Sequence, residues 1–442
     1  MMNMTRKIKN QILLLFILGS AASLRGQDTL VISKDEMLGK LSKNNWQIKI
    51  AKKTQDASRA DYRQSNALFL PKVELSYSAI TTTNPLMAFG SKLNQEILTQ
   101  QDFNLTLLND PERTNNFSTQ IQVQQPLLNI DGLYERKAAK AKMQAMSLQT
   151  QRTEEGVRLE LNKSYMTLQL AYHTTEVLDR AVAAAESSLK MVSDYYNQGL
   201  LQKPDLLAVQ VRVNEIKNQQ QAAQNQVNEA SDYLAFLIND TTQNQIYLPS
   251  EELADVITPL LIAPEMSANR SDILAMNKAT EAYRQLAKSS KTKFLPRINA
   301  FGSYQLYDDE IFQADADGYL VGAQLSWKIF DGYQAIGKAE KNKINYEKAR
   351  AEASQYTAKS ELEVKNYHRK LSLIKSKIDN NELAVEQARE AYRIRKDRFS
   401  QGLEKTNDLM MAESLLLQKE LEHLMSIFEY TLTQEYLSFL TK

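Results

Sequence analysis

Two aspartates hold equivalent places in this sequence. Asp205 follows Lys203-Pro204, and Asp408 follows Thr406-Asn407 at an offset of 203 residues. Both lie just past a glycine turn, Gly199-Leu200-Leu201 in one case and Gly402-Leu403-Glu404 in the other. A carboxylate opening a helix complements the helix dipole, for about 0.3–1 kcal/mol. Carboxylates repeated around a narrow bore would instead favour cations and raise one another's pKa. The sequence leaves both roles open. Other reactive groups are sparse. His173, His368 and His423 are not equivalent under that offset, and no pair has the i,i+4 spacing of a helical metal site. Met410-Met411 suits either a soft-metal path or an apolar helix seam. The absence of cysteine from the 442 residues excludes disulfides, thiolate metal sites, a cysteine nucleophile and a lipid-modified cysteine within them. There is no Ser-His-Asp order, no glycine-rich phosphate loop and no pair of catalytic carboxylates. The sequence therefore predicts no enzyme, no cofactor and no metal.

The elements that position the two aspartates come in duplicate. Phe69-Leu70-Pro71 recurs as Phe294-Leu295-Pro296, and Asn44 and Ile48 recur as Asn269 and Ile273, all at an offset of 225. Asp131-Gly132 recurs as Asp331-Gly332 at an offset of 200. Asn197-Gln198-Gly199-Leu200 recurs as Ser400-Gln401-Gly402-Leu403 at 203. The common order marks two copies of one unit, the first carrying about 25 extra residues between its proline and its Asp-Gly. We expect a first repeat over residues 27–240, a linker over 241–268 and a second repeat over 269–442.

Each copy opens with a helix. The first should run from Ser33, which has capping-box spacing to Glu36, to about Leu70; the second from Ser271 to about Leu295. Strands follow. Val73, Leu75, Tyr77 and Ala79 alternate with Glu74, Ser76 and Ser78; Phe117, Thr119, Ile121 and Val123 alternate with Ser118, Gln120, Gln122 and Gln124. The second copy repeats this over Ile298–Leu306, with Phe301 breaking the polar face, and over Tyr319–Trp327, with Leu320 the exception. These predict β-hairpins at about 72–125 and 297–328. About ten residues also suffices for a tilted strand to cross a bilayer. Long α-hairpins complete each copy, at about 131–238 and 332–440. Val209, Val213, Ile216, Gln220, Ala223, Val227, Ala230, Leu234 and Leu237 step as a coiled-coil seam with one polar member. In the second copy Asn381 and Arg395 interrupt the corresponding stripe of Val385, Ala388, Tyr392 and Phe399. No proline follows Pro296, which agrees with long unbroken helices.

At the N-terminus, basic Arg6, Lys7 and Lys9 precede an apolar run from Ile12 to Leu18 and a stretch of small residues. Residues 1–26 read as a secretory signal peptide. Its removal takes away four cations and no acid, turning a net charge of +1 into −3. A mildly acidic chain has no electrostatic footprint for nucleic acid.

Four strands do not close a barrel. In hydrocarbon an open sheet edge costs several kcal/mol per unpaired backbone group, so membrane strands of this kind need further chains. With its signal peptide, its duplicated helix, β-hairpin and α-hairpin, its Gly-Leu turns followed by Asp-Leu, and its Asn-Arg-x-Asp at Asn269–Asp272, the sequence resembles the TolC family of outer-membrane efflux channels. The likeness covers essentially all of the mature chain and is specific in the order and spacing of short motifs. It implies a mainly α fold with a membrane β-barrel portion, a homotrimer forming a 12-stranded barrel and a 12-helix periplasmic tunnel, and a place in the outer membrane of a Gram-negative bacterium. It further implies a periplasmic adaptor, or membrane fusion protein, docking at Gly199, Leu200, Leu201, Gly402, Leu403 and Glu404. A periplasmic gate at Asp205 and Asp408, and an inner-membrane pump of the RND or ABC type, follow from the same likeness. The alternative for the two glycines is plain helix capping, with the leucines folded back on the last turn.

The family's best-known members latch the closed tip with a tyrosine and an arginine around the second turn, and carry a second aspartate three positions after the one matching Asp408. Those positions hold Phe399, Glu404 and Met411 here, so a different latch is expected, with Lys203 or Lys405 pairing Asp205, Glu404 or Asp408. Trp327 and Tyr333 suit either an interfacial aromatic belt or ordinary packing. The leading expectation is the exit channel of a tripartite efflux system for small molecules. A type I protein-secretion channel is the alternative. A periplasmic coiled-coil adaptor or structural protein is a third reading, against which the four alternating strands argue.

Overall fold

The computed structural model describes residues 28–241, 245–253 and 265–442. The expected signal peptide and parts of the expected linker lie outside them. In chain order the elements are β1 (Asp28–Ile32), α1 (Lys34–Asn44), α2 (Trp46–Gln64), β2 (Lys72–Thr82), α3 (Pro85–Asn94), α4 (Leu105–Asn109), β3 (Thr114–Leu128), α5 (Ile130–Asn197), α6 (Lys203–Ile238), β4 (Gln245–Pro249), α7 (Ser271–Thr292), β5 (Arg297–Asp308), β6 (Ala316–Ser326), α8 (Gln334–Ser400) and α9 (Thr406–Thr441). No helix among the described residues is long and apolar enough to cross a membrane. The chain divides into two units.

One unit takes Met1–Ile50, Thr153–Ser267 and Ser360–Lys442. It holds the packed helix seams. The α6 stripe expected from the sequence is buried at every position except Gln220, whose amide donates to Asp179 Oδ1 at 2.6 Å. In the second copy Asn381 donates to the Glu422 carbonyl at 3.2 Å, so its polarity is satisfied inside the seam. A second feature was not anticipated: β1 and β4 form a parallel ladder, from Asp28 opposite Gln245 to Ile32 opposite Pro249. Ile32 and Tyr247 from this ladder join Met37, Leu41, Leu161 and Leu234 in the main apolar cluster.

The single helix expected from Ser33 to about Leu70 is broken at Asn45. Ser33 caps α1 as expected, accepting from Glu36 N at 3.2 Å. At buried Asn45 the backbone turns to φ −58°, ψ 133°. Its amide donates to the Leu237 carbonyl at 2.8 Å and its Oδ1 accepts from Ile48 N at 3.1 Å. The side chain ends one helix against α6 and caps the next. Arg270, its equivalent at the repeat offset, precedes α7 with φ −54°, ψ 133°. The helix shared by the two copies thus begins at Trp46 and Ser271, and α1 is extra.

The other unit takes Ala51–Arg152 and Ala268–Lys359. Its centre is a four-stranded antiparallel sheet in the order β2-β3-β5-β6. The register sorts the two expected faces. Leu75, Ile121, Tyr304 and Tyr319 form one cross-strand row, and all four are exposed. The adjacent row, on the opposite face, is Ser76, Gln120, Gln305 and Gly318. The sequence exception Phe301 sits opposite Gly322, and a Cβ at Gly322 would come within 2.7 Å of its ring. The glycine makes room for an aromatic lying flat across the polar face. The extra length of the first copy is the β2–β3 connection, residues 83–113 against 309–315 between β5 and β6. It carries α3 and α4.

At the foot of the sheet, Arg297 pairs with buried Asp131, Nε to Oδ1 at 3.2 Å. The duplicated Asp331 does different work: its carboxylate accepts from Ala335 N at 3.1 Å and caps α8. Trp327 donates to the Phe294 carbonyl at 2.9 Å while its ring stays exposed, as do Ile329, Phe330 and Tyr333. The Asn-Arg-x-Asp motif is a buried ionic knot. Asp272 meets Arg270 at 3.0 Å, Arg152 at 3.2 Å and the Tyr356 hydroxyl at 2.7 Å. Burial opposes ionisation of Asp272, but bonds from Arg270 and Tyr356 and the charge of Arg152 hold its carboxyl below the usual range.

Candidate functional site

The two hairpin turns close with one and the same hydrogen-bond pattern. In the first, Gly199 has φ +75° and its N–H donates to the Tyr196 carbonyl at 2.9 Å. Leu200 N–H reaches back to the Tyr195 carbonyl at 2.8 Å. In the second, Gly402 has φ +72°, donates to Phe399 at 2.9 Å, and Leu403 donates to Arg398 at 2.9 Å. Both are Schellman motifs, which need a residue free to adopt the left-handed region. The leucines do not fold back onto the helix. Leu200 is 67% exposed and Leu403 61% exposed. Leu201 instead turns inward onto a cluster of Val192, Val209, Phe399 and Leu409, so α5, α6, α8 and α9 all meet there.

Phe399 is the centre of that cluster and is buried. Its ring lies 5.7 Å from the ring of Tyr195. The Tyr195 hydroxyl crosses from the first hairpin to the second, donating to the Ser400 carbonyl at 2.7 Å. Within this chain the hairpin ends are therefore joined by an apolar plug and one tyrosine bond. Glu404 does not pair with Lys405. It takes Arg395 at 2.9 Å and Arg398 at 2.8 Å, with its own carboxylate largely covered. The two arginines stand three residues apart on α8 and so share the face next to the turn. A run of charges on a helix reads as solvent-facing, which hid this pair in the sequence.

The two aspartates differ in their surroundings. Asp205 belongs to a capping box with Gln202, accepting from its backbone N–H at 3.3 Å. Asp408 stands in the first turn of α9 and lines a groove of about 720 Å³ with Val211, Arg212, Arg395, Asn407 and Met411. The methionine pair is split: Met410 packs on the apolar plug and Met411 is exposed.

Glu413, five residues beyond Asp408, escaped the sequence reading. It lies between helices at 6% exposure. Ser188 Oγ donates to its Oε2 at 3.2 Å, and its Oε1 has no donor among the described residues. Burial pushes its carboxyl up, against the Ser188 bond and the charges of Arg212 and Lys396. The signal for it was a lone acid within an otherwise apolar helix stripe, with Leu409, Ala412 and Leu417 buried around it. Among the described residues no cluster of three or more His, Asp or Glu is arranged to hold a metal.

Comparison with known proteins follows the same anatomy. The sequence pattern of the outer membrane efflux protein family matches residues 37–240 and 262–441, one stretch for each hairpin pair. No curated protein matches the chain. Among solved structures, the chain is similar to the Campylobacter jejuni CmeC outer membrane channel at a TM-score of 0.79, with 16% identity, covering 92% of this chain and 85% of that one. It is similar to the outer membrane protein VceC of Vibrio cholerae at a TM-score of 0.76, with 15% identity over 92% of this chain and 96% of that one. The open-state MtrE outer membrane channel of Neisseria gonorrhoeae gives 0.76, with 14% identity and coverage of 92% and 88%. At such identity the likeness speaks for the fold; the sequence pattern, which spans most of the chain and both glycine turns, speaks for descent. The chain belongs to the outer membrane efflux protein family.

Proposed function

We propose that this protein is one subunit of an outer-membrane exit channel in a tripartite efflux system, carrying small molecules outward from an inner-membrane pump through a periplasmic adaptor. One observation carries the reading: a four-stranded sheet with exposed apolar rows on one face, whose outer strands β2 and β6 each leave one edge unpaired within the sheet. Apolar strands of 11 to 15 residues suit a lipid-facing wall, and open edges at that depth demand closure by further copies. Three copies give a 12-stranded barrel, with the Ser/Gln rows facing water and the α-hairpins extending the bore as a 12-helix tunnel. The duplicated organisation then makes each subunit two near-equivalent staves of one wall.

The adaptor meets the hairpin turns in this reading. Leu200 and Leu403 present bare apolar surface on rigid, glycine-locked turns, which a partner would cover. Asp205 and Asp408 stand just inside and form the acidic constriction. The latch departs from the family's: Phe399 with Tyr195 supplies an apolar closure, and Glu404 holds Arg395 and Arg398.

Fractionation and planar-bilayer recording of the purified protein test this together. We expect a detergent-extracted trimer that resists a high-salt wash and forms cation-preferring channels, with Asp408→Asn lowering cation selectivity at least twofold. Release by salt alone, or a monomer without conductance, overturns the channel reading.

A further inference from the structure

The connection between β2 and β3 is a folded object. Asn84 caps α3 through Met87 N at 3.2 Å. Thr99 and Asp102 form a capping box, Lys92 reaches Asp102 Oδ1 at 2.8 Å, and Phe89 and Phe103 meet edge to face at 5.8 Å. Gln95, at the end of α3, is buried and fastens the whole connection to the sheet. Its amide nitrogen donates to the Asn115 carbonyl at 2.9 Å, to Asn116 Oδ1 at 3.0 Å and to the Asp308 carbonyl at 2.7 Å.

Its placement over the sheet is specific. A cavity of about 500 Å³ lies between Leu93, Asn94 and Glu96 on one side and Gln120, Ser303 and Gln305 on the other. Gln120, Ser303 and Gln305 belong to the polar rows. The connection thus folds across the water-facing side of the sheet and not across the apolar one. Leu320, the apolar exception on that polar face, lines the same cavity as Leu93. Meanwhile several apolar side chains of the connection are bare: Leu86 is 81% exposed and Leu105 76% exposed, with Met87 and Ile97 also open. On an ordered segment held over a polar face, bare apolar groups have no lipid to turn to.

We propose that residues 83–113 are a lid at the outer mouth of the channel, and that the apolar side of each lid is covered by the same side of a second copy. This rests on the channel reading above. If the polar rows face the bore, a segment tethered across them points inward, and symmetry brings like surfaces together around the axis. An apolar constriction then gates by excluding water, independently of the acidic constriction at the other end.

The sequence contains no cysteine, so single replacements report contacts without interference. Leu86→Cys and Leu105→Cys in the full chain should give disulfide-linked dimers on mild oxidation, while Ser91→Cys, on α3 with Leu86, serves as the comparison and should give at least fivefold less. In planar bilayers, the double variant Leu86→Asp/Leu105→Asp should raise single-channel conductance at least twofold with the trimer intact. A shortened variant, in which a Gly-Asn turn replaces residues 84–112, should match or exceed it. Conducting trimers that give no cross-link at Leu86 or Leu105, or whose conductance is unchanged by both the double and the shortened variant, overturn the lid alone. A native chain that forms no conducting trimer overturns the channel reading and the lid with it.

Discussion

A buried carboxylate with one empty acceptor is the most consequential single residue near the hairpin turns. Glu413 is neutralised more readily in the fold than in the unfolded chain, because burial raises its pKa from the ordinary 4.5. For such an acid the native state binds more protons, so the stability it supports is present below about 4.5 and is lost as pH rises through the raised value. Replacing it with glutamine removes that loss. Thermal unfolding of Glu413→Gln should therefore coincide with the native protein near pH 4 and exceed it at pH 8, by roughly 1–3 kcal/mol. An equal gain at both pH values would mean that the charge is not the cause. The Glu404 pairing was not legible in the sequence, because charges at the end of a helix read as solvent-facing. Glu413 left a trace there, a lone acid in an apolar stripe, but helix periodicity does not report which side chains of other helices meet a buried acid. The polar seam members were legible: Gln220 and Asn381 broke the stripe visibly, and both turn out to have partners across it.

At the scale of elements, alternation and turn chemistry carried most of the information. The four strands were readable because period two survives in every one, down to the exceptions at Phe301 and Leu320. The glycine turns were readable because a left-handed residue after a long helix has few substitutes. The break at Asn45 was not, since one polar residue between two amphipathic runs looks like an exposed helical position. Its burial against α6 decides the matter, and that is a tertiary fact. Asn45→Ala removes a cap and leaves the Leu237 carbonyl without its donor, and should cost about 1–3 kcal/mol in thermal or denaturant unfolding. Asn45→Asp keeps the cap oxygen and loses the donor, so it should fall between. If alanine and aspartate behave alike, the cap contributes nothing.

For the molecule as a whole, the open edges of β2 and β6 set the terms. If further copies close those edges in a bilayer, as proposed, a lone subunit cannot keep its sheet there. Folding and assembly are then one equilibrium, and apparent stability depends on concentration. Diluting the detergent-solubilised protein tenfold should lower its melting point, and the infrared signal of antiparallel sheet should vanish together with the trimer band on gels. A monomer that keeps its sheet signal would refute this coupling. The helical seams, closed within one chain, should outlast both.

The parallel ladder of β1 and β4 bears on how the chain comes into being. Each residue of β1 meets a partner 217 positions further along. Contacts of such separation form late, after the entropy of a long loop has been overcome. During synthesis β1 has nothing to pair with until both helices of the first hairpin have emerged behind it. The first strand is thus held in reserve, and its capture by β4 ties the beginning of the first repeat to its end.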